Sequence, residues 1–109
     1  MFIAIYSFKT KQGRESEFRS WWLETTKGIY EESGSLGFRL HSTEDPTVFI
    51  GYAQWPSNEQ WSANDLTKHE HKQARDKMRE CLESSETLYK LEVTEDYLRS
   101  EPYMYNKRL

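Results

Sequence analysis

The sequence predicts an α+β domain in which two helices cover one face of an antiparallel sheet, and three observations carry that prediction. The stretch Ser35 to Ser57, SLGFRLHSTEDPTVFIGYAQWPS, holds two strand-favouring runs around a polar break at Glu44, Asp45 and Pro46. Pro46 fixes φ for a turn and has no N–H to offer a ladder, so this is a hairpin signal. On either side of the hairpin lies a stretch with helical spacing, and each helix is flanked by a further strand. The third observation is that the strands are apolar on both faces, which asks for cover on both.

In chain order, Phe2 to Thr10 alternates Phe2, Ala4, Tyr6 and Phe8 against Ile3, Ile5 and Ser7 and reads as a strand, broken at Gln12-Gly13. From Arg14 to about Ser33, Phe18, Trp21, Trp22, Thr25 and Ile29 fall on one helical stripe, and Gly34 supplies a left-handed end. The hairpin places Leu36, Phe38 and Leu40 on one face and Gly37, Arg39 and His41 on the other. Its second strand sets Val48, Ile50 and Tyr52 against Phe49, Gly51, Ala53 and Trp55. Glycine weakens a strand unless something approaches closely, so a backbone or a bulky ring such as Trp22 is expected over Gly51. Ser57 and Gln60 form a capping box for a short turn carrying Trp61. Asn64 or Asp65 is expected to cap a helix over 66–85 with Ala74, Met78, Cys81 and Leu82 on its stripe. Thr87 to Tyr97 is expected as the last strand. The order βαββαβ is the split arrangement of ferredoxin-like folds, here one domain over 1–98 with a polar C-terminal tail over 99–109.

The totals exclude several function classes. With 36% hydrophobic residues but four Trp and seven Tyr, the core must come from a few large rings. A net charge of -3 with both signs interspersed gives no electrostatic footprint for nucleic acid or a membrane surface. The single cysteine, Cys81, excludes an intrachain disulfide and suits a reducing cytoplasm. No run approaches the ~20 apolar residues of a membrane span, and the N-terminus lacks the form of a signal peptide.

The residues at the joints of these elements resemble those of the antibiotic biosynthesis monooxygenase family, of the dimeric α+β barrel superfamily. They are Gly13 with Glu17-Phe18, the run Ser35-Leu36-Gly37-Phe38, and Ala53-Gln54-Trp55-Pro56-Ser57 followed by Trp61. The resemblance, over roughly residues 2 to 97, implies a homodimer whose two sheets form a barrel, with a pocket in each subunit between sheet and helices. Members of the superfamily include cofactor-independent quinol-type monooxygenases, haem-degrading enzymes, small isomerases and proteins without known activity.

The candidate residues are few. His71 falls on the inward stripe of the second long helix, as a core histidine or as a proton donor or acceptor. His69 falls opposite, about 200° away, so the two cannot chelate one metal together. Arg39 and His41 share a strand face, as a hydrogen-bonded interface pair or as a site for an anionic or phenolate group. Trp22 and Trp61 belong first to the core but suit a flat aromatic ligand, which Tyr52 and Asn64 would help place. Cys81 reads as an inert buried thiol. With no nucleophile–base pair, phosphate loop or metal cluster in view, chemistry must come from a shaped, dry pocket. That favours oxygenation of a small aromatic phenol or quinol without a cofactor, with His71 as the base. The second reading is haem binding or breakdown, which the resemblance implies through a helix histidine, His71, and a nearby tryptophan, Trp61. The third is a non-catalytic dimeric binding module.

Overall fold

The computed structural model describes residues 1–99, so the expected tail, with Tyr103 and Tyr105, lies outside the described residues but for Arg99. Along the chain run β1 (Phe2–Thr10), α1 (Glu15–Ser33), β2 (Gly37–Ser42), β3 (Val48–Trp55), α2 (Asn58–Ala63), α3 (His69–Glu80) and β4 (Leu82–Glu92). The four strands make one antiparallel sheet in the order β2-β3-β1-β4, the ferredoxin-like arrangement expected. β1 is central: Phe2 pairs with Trp55 on one side and Glu92 on the other.

Cross-strand partners share a face, so the register sorts the sheet into two surfaces. Phe2, Ala4, Tyr6 and Phe8 face the helices with Trp55, Ala53, Gly51 and Phe49, joined by Phe38 and Leu40 of β2. This face builds two buried clusters. One is Phe2, Ala4, Ala53 and Trp55, with Phe38 and Trp61 packed against it. The other is Phe8, Phe18, Phe49 and Cys81, and Tyr6 contacts both. Phe18, wholly buried, sends its ring between Phe8 and Phe49, 5.3 Å from each centroid. Burying such a ring contributes about 1.5–3 kcal/mol. Cys81 is fully buried, and that burial pushes its thiol pKa up, as expected of an inert cysteine. The opposite face carries Ile5, Ile50 and Tyr52, half-buried, beside Tyr89 and Leu91, which are 62% and 44% exposed.

The first helix ends where expected, with Gly34 left-handed at φ 71°. The close approach over Gly51 is also present, but the ring is Phe8 and not Trp22. A Cβ on Gly51 would lie 2.7 Å from Phe8 Cε2, because the two residues face the helices on adjacent strands. Ser57 caps α2 by accepting from Gln60 N–H at 3.1 Å, as its sequence indicates.

The last third of the chain departs from expectation. The helix expected over 66–85 spans His69–Glu80, and the strand expected over 87–97 spans Leu82–Glu92. Glu83 to Thr87 has no apolar alternation, so nothing local marks it as a strand; pairing with β1 imposes the conformation. Leu82 belongs to the buried cluster as expected, but from the first position of β4. Asn64 does not cap α3 but closes α2, its backbone N–H and its side-chain amide both donating to Trp61 C=O. The α3 cap comes from Glu32, at the end of α1.

Candidate active site

Two acidic residues at the C-terminus of a helix oppose its dipole, and the structure explains why α1 ends in Glu31-Glu32. Glu32 reaches the N-terminus of α3, where unpaired N–H groups and the positive end of the dipole await an anion. Its carboxylate accepts from Thr67 N–H at 2.8 Å, Thr67 Oγ1 at 2.6 Å and Lys68 N–H at 3.3 Å. His71 Nδ1 lies 2.5 Å from the other carboxylate oxygen. The Thr67 hydroxyl, then His71 and the backbone donors, hold the Glu32 pKa down to about 2. The carboxylate is therefore ionised at neutral pH, and Nδ1 carries the proton it donates. His71 Nε2 stands 3.5 Å from Glu31. The ring packs against α1 at Gly28, where a Cβ would meet His71 Cγ at 2.6 Å. His71 thus sits at the α1–α3 contact with carboxylates at both ring nitrogens.

Deeper between the helices and the sheet lies a cavity of about 500 Å³. Trp22, Thr25, Thr26 and Ile29 of α1 form one wall, and Arg75, Met78 and Arg79 of α3 a second. Tyr6, Phe8, Phe38 and Gly51 make the sheet floor, while Leu82, Ser85 and Thr87 of β4 and the loop residues Asn64 and Leu66 complete it. The lining is mixed, with aromatic rings from Tyr6, Phe8, Trp22 and Phe38 on one side and polar groups from α3, β4 and the loop on the other.

Of the polar residues around the cavity, Thr25 and Thr26 already donate to carbonyls of their own helix. Tyr6 differs. Trp61 Nε1 donates to the Tyr6 oxygen at 2.7 Å, which leaves the phenol proton free for another acceptor. Burial pushes the Tyr6 pKa up, so that proton stays in place at neutral pH, although the bond from Trp61 works the other way. Asn64 donates one N–H of its amide to Trp61 C=O, which leaves its Oδ1 and its second N–H for a ligand.

The residues singled out from the sequence divide. Trp22 and Asn64 line the cavity, and Trp61 stands behind it, holding Tyr6. Tyr52 borders it through its strand, but its register partners Ile5 and Arg39 lie on the other face, where its hydroxyl donates to Gln54 Oε1 at 2.8 Å. Arg39 lines a separate hollow along β2 and α1, with Arg19 and Leu23. His41 is exposed, with Nδ1 3.1 Å from Ile50 C=O. His71 lines neither space. Sequence reasoning did not single out Tyr6, Arg75 or Arg79 as site residues. The two arginines could have been found at four and eight positions beyond His71, on the same side of the helix.

A half-open cavity between helices and an antiparallel sheet, partly floored by aromatic rings, thus lies in a domain of ferredoxin-like form. The family's own sequence pattern then matches residues 1–79, and the chain belongs to the antibiotic biosynthesis monooxygenase family. Among curated proteins none matches the chain. Solved structures share the fold at low identity. A Nitrosomonas europaea protein named for the same family superposes with a TM-score of 0.69 at 19% identity, covering 85% of this chain and 98% of its own. One from Bordetella bronchiseptica gives 0.72 at 17%, covering 85% and 96%. SnoaB, a cofactor-independent oxygenase from Streptomyces nogalater, gives 0.69 at 14%, covering 87% and 94%. Among the described residues no helix is long and apolar enough to cross a membrane.

Proposed function

We propose that the chain is a cofactor-independent monooxygenase that oxidises an electron-rich phenol or quinol in the cavity between sheet and helices. The observation that carries this is the Tyr6–Trp61 pair, which leaves a retained phenol proton on a residue that lines the cavity beside the rings of Phe8, Trp22 and Phe38. A substrate phenolate that takes the Tyr6 hydrogen bond is stabilised as its charge develops. Asn64 Oδ1 accepts from a second substrate hydroxyl, and Trp22 and Phe38 hold the ring plane. The substrate proton leaves to water. The phenolate then passes one electron to O₂, and the radical pair couples to a peroxide at ring carbon. Loss of water from that peroxide gives the quinone carbonyl, so O₂ supplies one oxygen to product and one to water, with all electrons from the substrate. His71, bonded to Glu32, holds α3 against α1 in this reading and does not act as the base. Haem does not fit: no histidine lines the cavity, and both His71 nitrogens face carboxylates.

Oxygen uptake with anthrones and naphthohydroquinones tests the proposal. Turnover above buffer is expected, with kcat/KM lower by about 10²-fold in Tyr6→Phe, the usual cost of one such donor. No uptake above buffer with any of them sinks it.

The same reading includes a two-fold dimer through the face that carries Ile5, Ile50, Tyr52, Tyr89 and Leu91. A second copy laid on that surface would cover its exposed apolar side chains, in an interface of roughly 1,200–2,000 Å². Sedimentation at micromolar concentration should give about twice the 13.1 kDa chain mass. A folded monomer there would remove the dimer.

A further inference from the structure

The cavity is electrically one-sided. Three charged residues border it, Arg75, Arg79 and Glu86. Glu86 stands between Ser85 and Thr87, whose register partners Phe8 and Tyr6 face the helices, so by strand alternation the Glu86 carboxylate points to the other face. That leaves Arg75, half-buried, and Arg79, exposed, one helical turn apart on α3, as the charged residues on the helix side of the space among the described residues. Neither has an ion-pair or hydrogen-bond partner among the described residues. Arg75 Nε is in addition buried without any acceptor. A buried donor left unpaired costs free energy, and a charged one costs more. Guanidinium groups pair carboxylates through two parallel N–H bonds.

We infer that the cavity takes an aromatic acid, with the ring on the Trp22–Phe38 side and a carboxylate on Arg75 and Arg79. This rests on the reading of the cavity as the substrate site, and it narrows the substrate to a phenol or quinol bearing an anionic arm. A neutral quinol fills the aromatic part of the site and leaves the arginines bare.

The test is anaerobic binding, read by tryptophan fluorescence, of a matched pair of probes. These are 1,4-dihydroxy-2-naphthoate and its methyl ester, which share ring and hydroxyl groups and differ in charge. The acid should bind at least about tenfold tighter than the ester, as one charge-assisted contact provides. Arg75→Gln should remove most of that preference while leaving the ester's affinity within about twofold, and Arg75→Lys should retain part of it. Equal affinity of acid and ester in the unaltered protein overturns the inference, as does a parallel loss of both in a folded Arg75→Gln variant. Where Arg75→Gln proves unfolded, Arg79→Gln carries the same comparison. Oxygen uptake with the ester separates the two readings. Turnover of the ester with no preference for the acid refutes the acid and leaves the monooxygenase standing. A preference for the acid without oxygen uptake does the reverse.

Discussion

Two polar clusters on α3 lie one helical turn apart and are resolved in opposite ways. At His71, every charged or polar atom has a partner: Glu32 takes up the helix N-terminus and the imidazole together, and Glu31 stands at the remaining nitrogen. At Arg75 and Arg79, both residues border a cavity and no carboxylate among the described residues answers them. A satisfied buried network fixes structure, while an unsatisfied charge beside an open space is available to a ligand. The difference teaches that the residue most conspicuous in the sequence, an inward histidine, is the less free of the two.

The comparison can be broken from either end, and the largest effect should come from Glu32. Glu32→Ala removes the α3 cap and the His71 partner at once, and its fall in melting temperature should exceed that of Glu31→Ala at neutral pH. The pH dependence has a definite sign. The folded carboxyl titrates at about 2, below its ordinary 4.5, so its stabilisation is complete above about pH 4.5 and disappears as pH falls toward 2. Thermal melts across that range should decline for the unaltered protein and lose that part of the decline in Glu32→Ala. Identical profiles would mean that the carboxylate does not hold the helices.

Gly28→Ala comes next. The new methyl meets the His71 ring at 2.6 Å, and a ring held by Glu32 has little room to yield. Destabilisation of about 1–3 kcal/mol is expected, as for other overpacked contacts, measured by urea unfolding. In His71→Ala the same change should cost much less, and additive effects would show that the two residues do not press on each other.

The smallest effect should come from Arg75→Met without ligand. Removing a half-buried charge whose Nε has no acceptor, while keeping the length of the side chain, should leave stability unchanged or raise it by up to about 1 kcal/mol. A clear loss of stability would reveal a structural role for the guanidinium and sharpen the contrast differently, making both clusters supports of the fold.

What could be read in advance follows the range of the interactions. The hairpin, the α1 stripe, Gly34 and the Ser57 cap are local, set by residues within a few positions, and they stand where the sequence puts them. The α3 cap is made by Glu32, thirty-five positions before Thr67, and no local pattern shows it. The first half of β4, Glu83 to Thr87, is polar throughout and owes its conformation to β1. Trp22 and Asn64 were legible as cavity residues because an aromatic on a helix stripe and a polar residue at a joint are pattern features. The arginines were not, because a charged residue on a helix reads by default as solvated.

The central place of β1 bears on how the chain comes to be folded. It is the first strand made, it has a neighbour on each edge, and both neighbours arrive later: Trp55 opposite Phe2, then Glu92. At about 5–20 residues per second, several seconds separate the synthesis of β1 from that of β4. Through that interval an apolar segment, Phe2-Ile3-Ala4-Ile5-Tyr6, has an unpaired edge, the condition under which strands join those of other chains. Such distant pairing also places the domain among slow folders for its size. Lys9 and Lys11, just beyond that segment, act as charged gatekeepers while the sheet waits for its last strand.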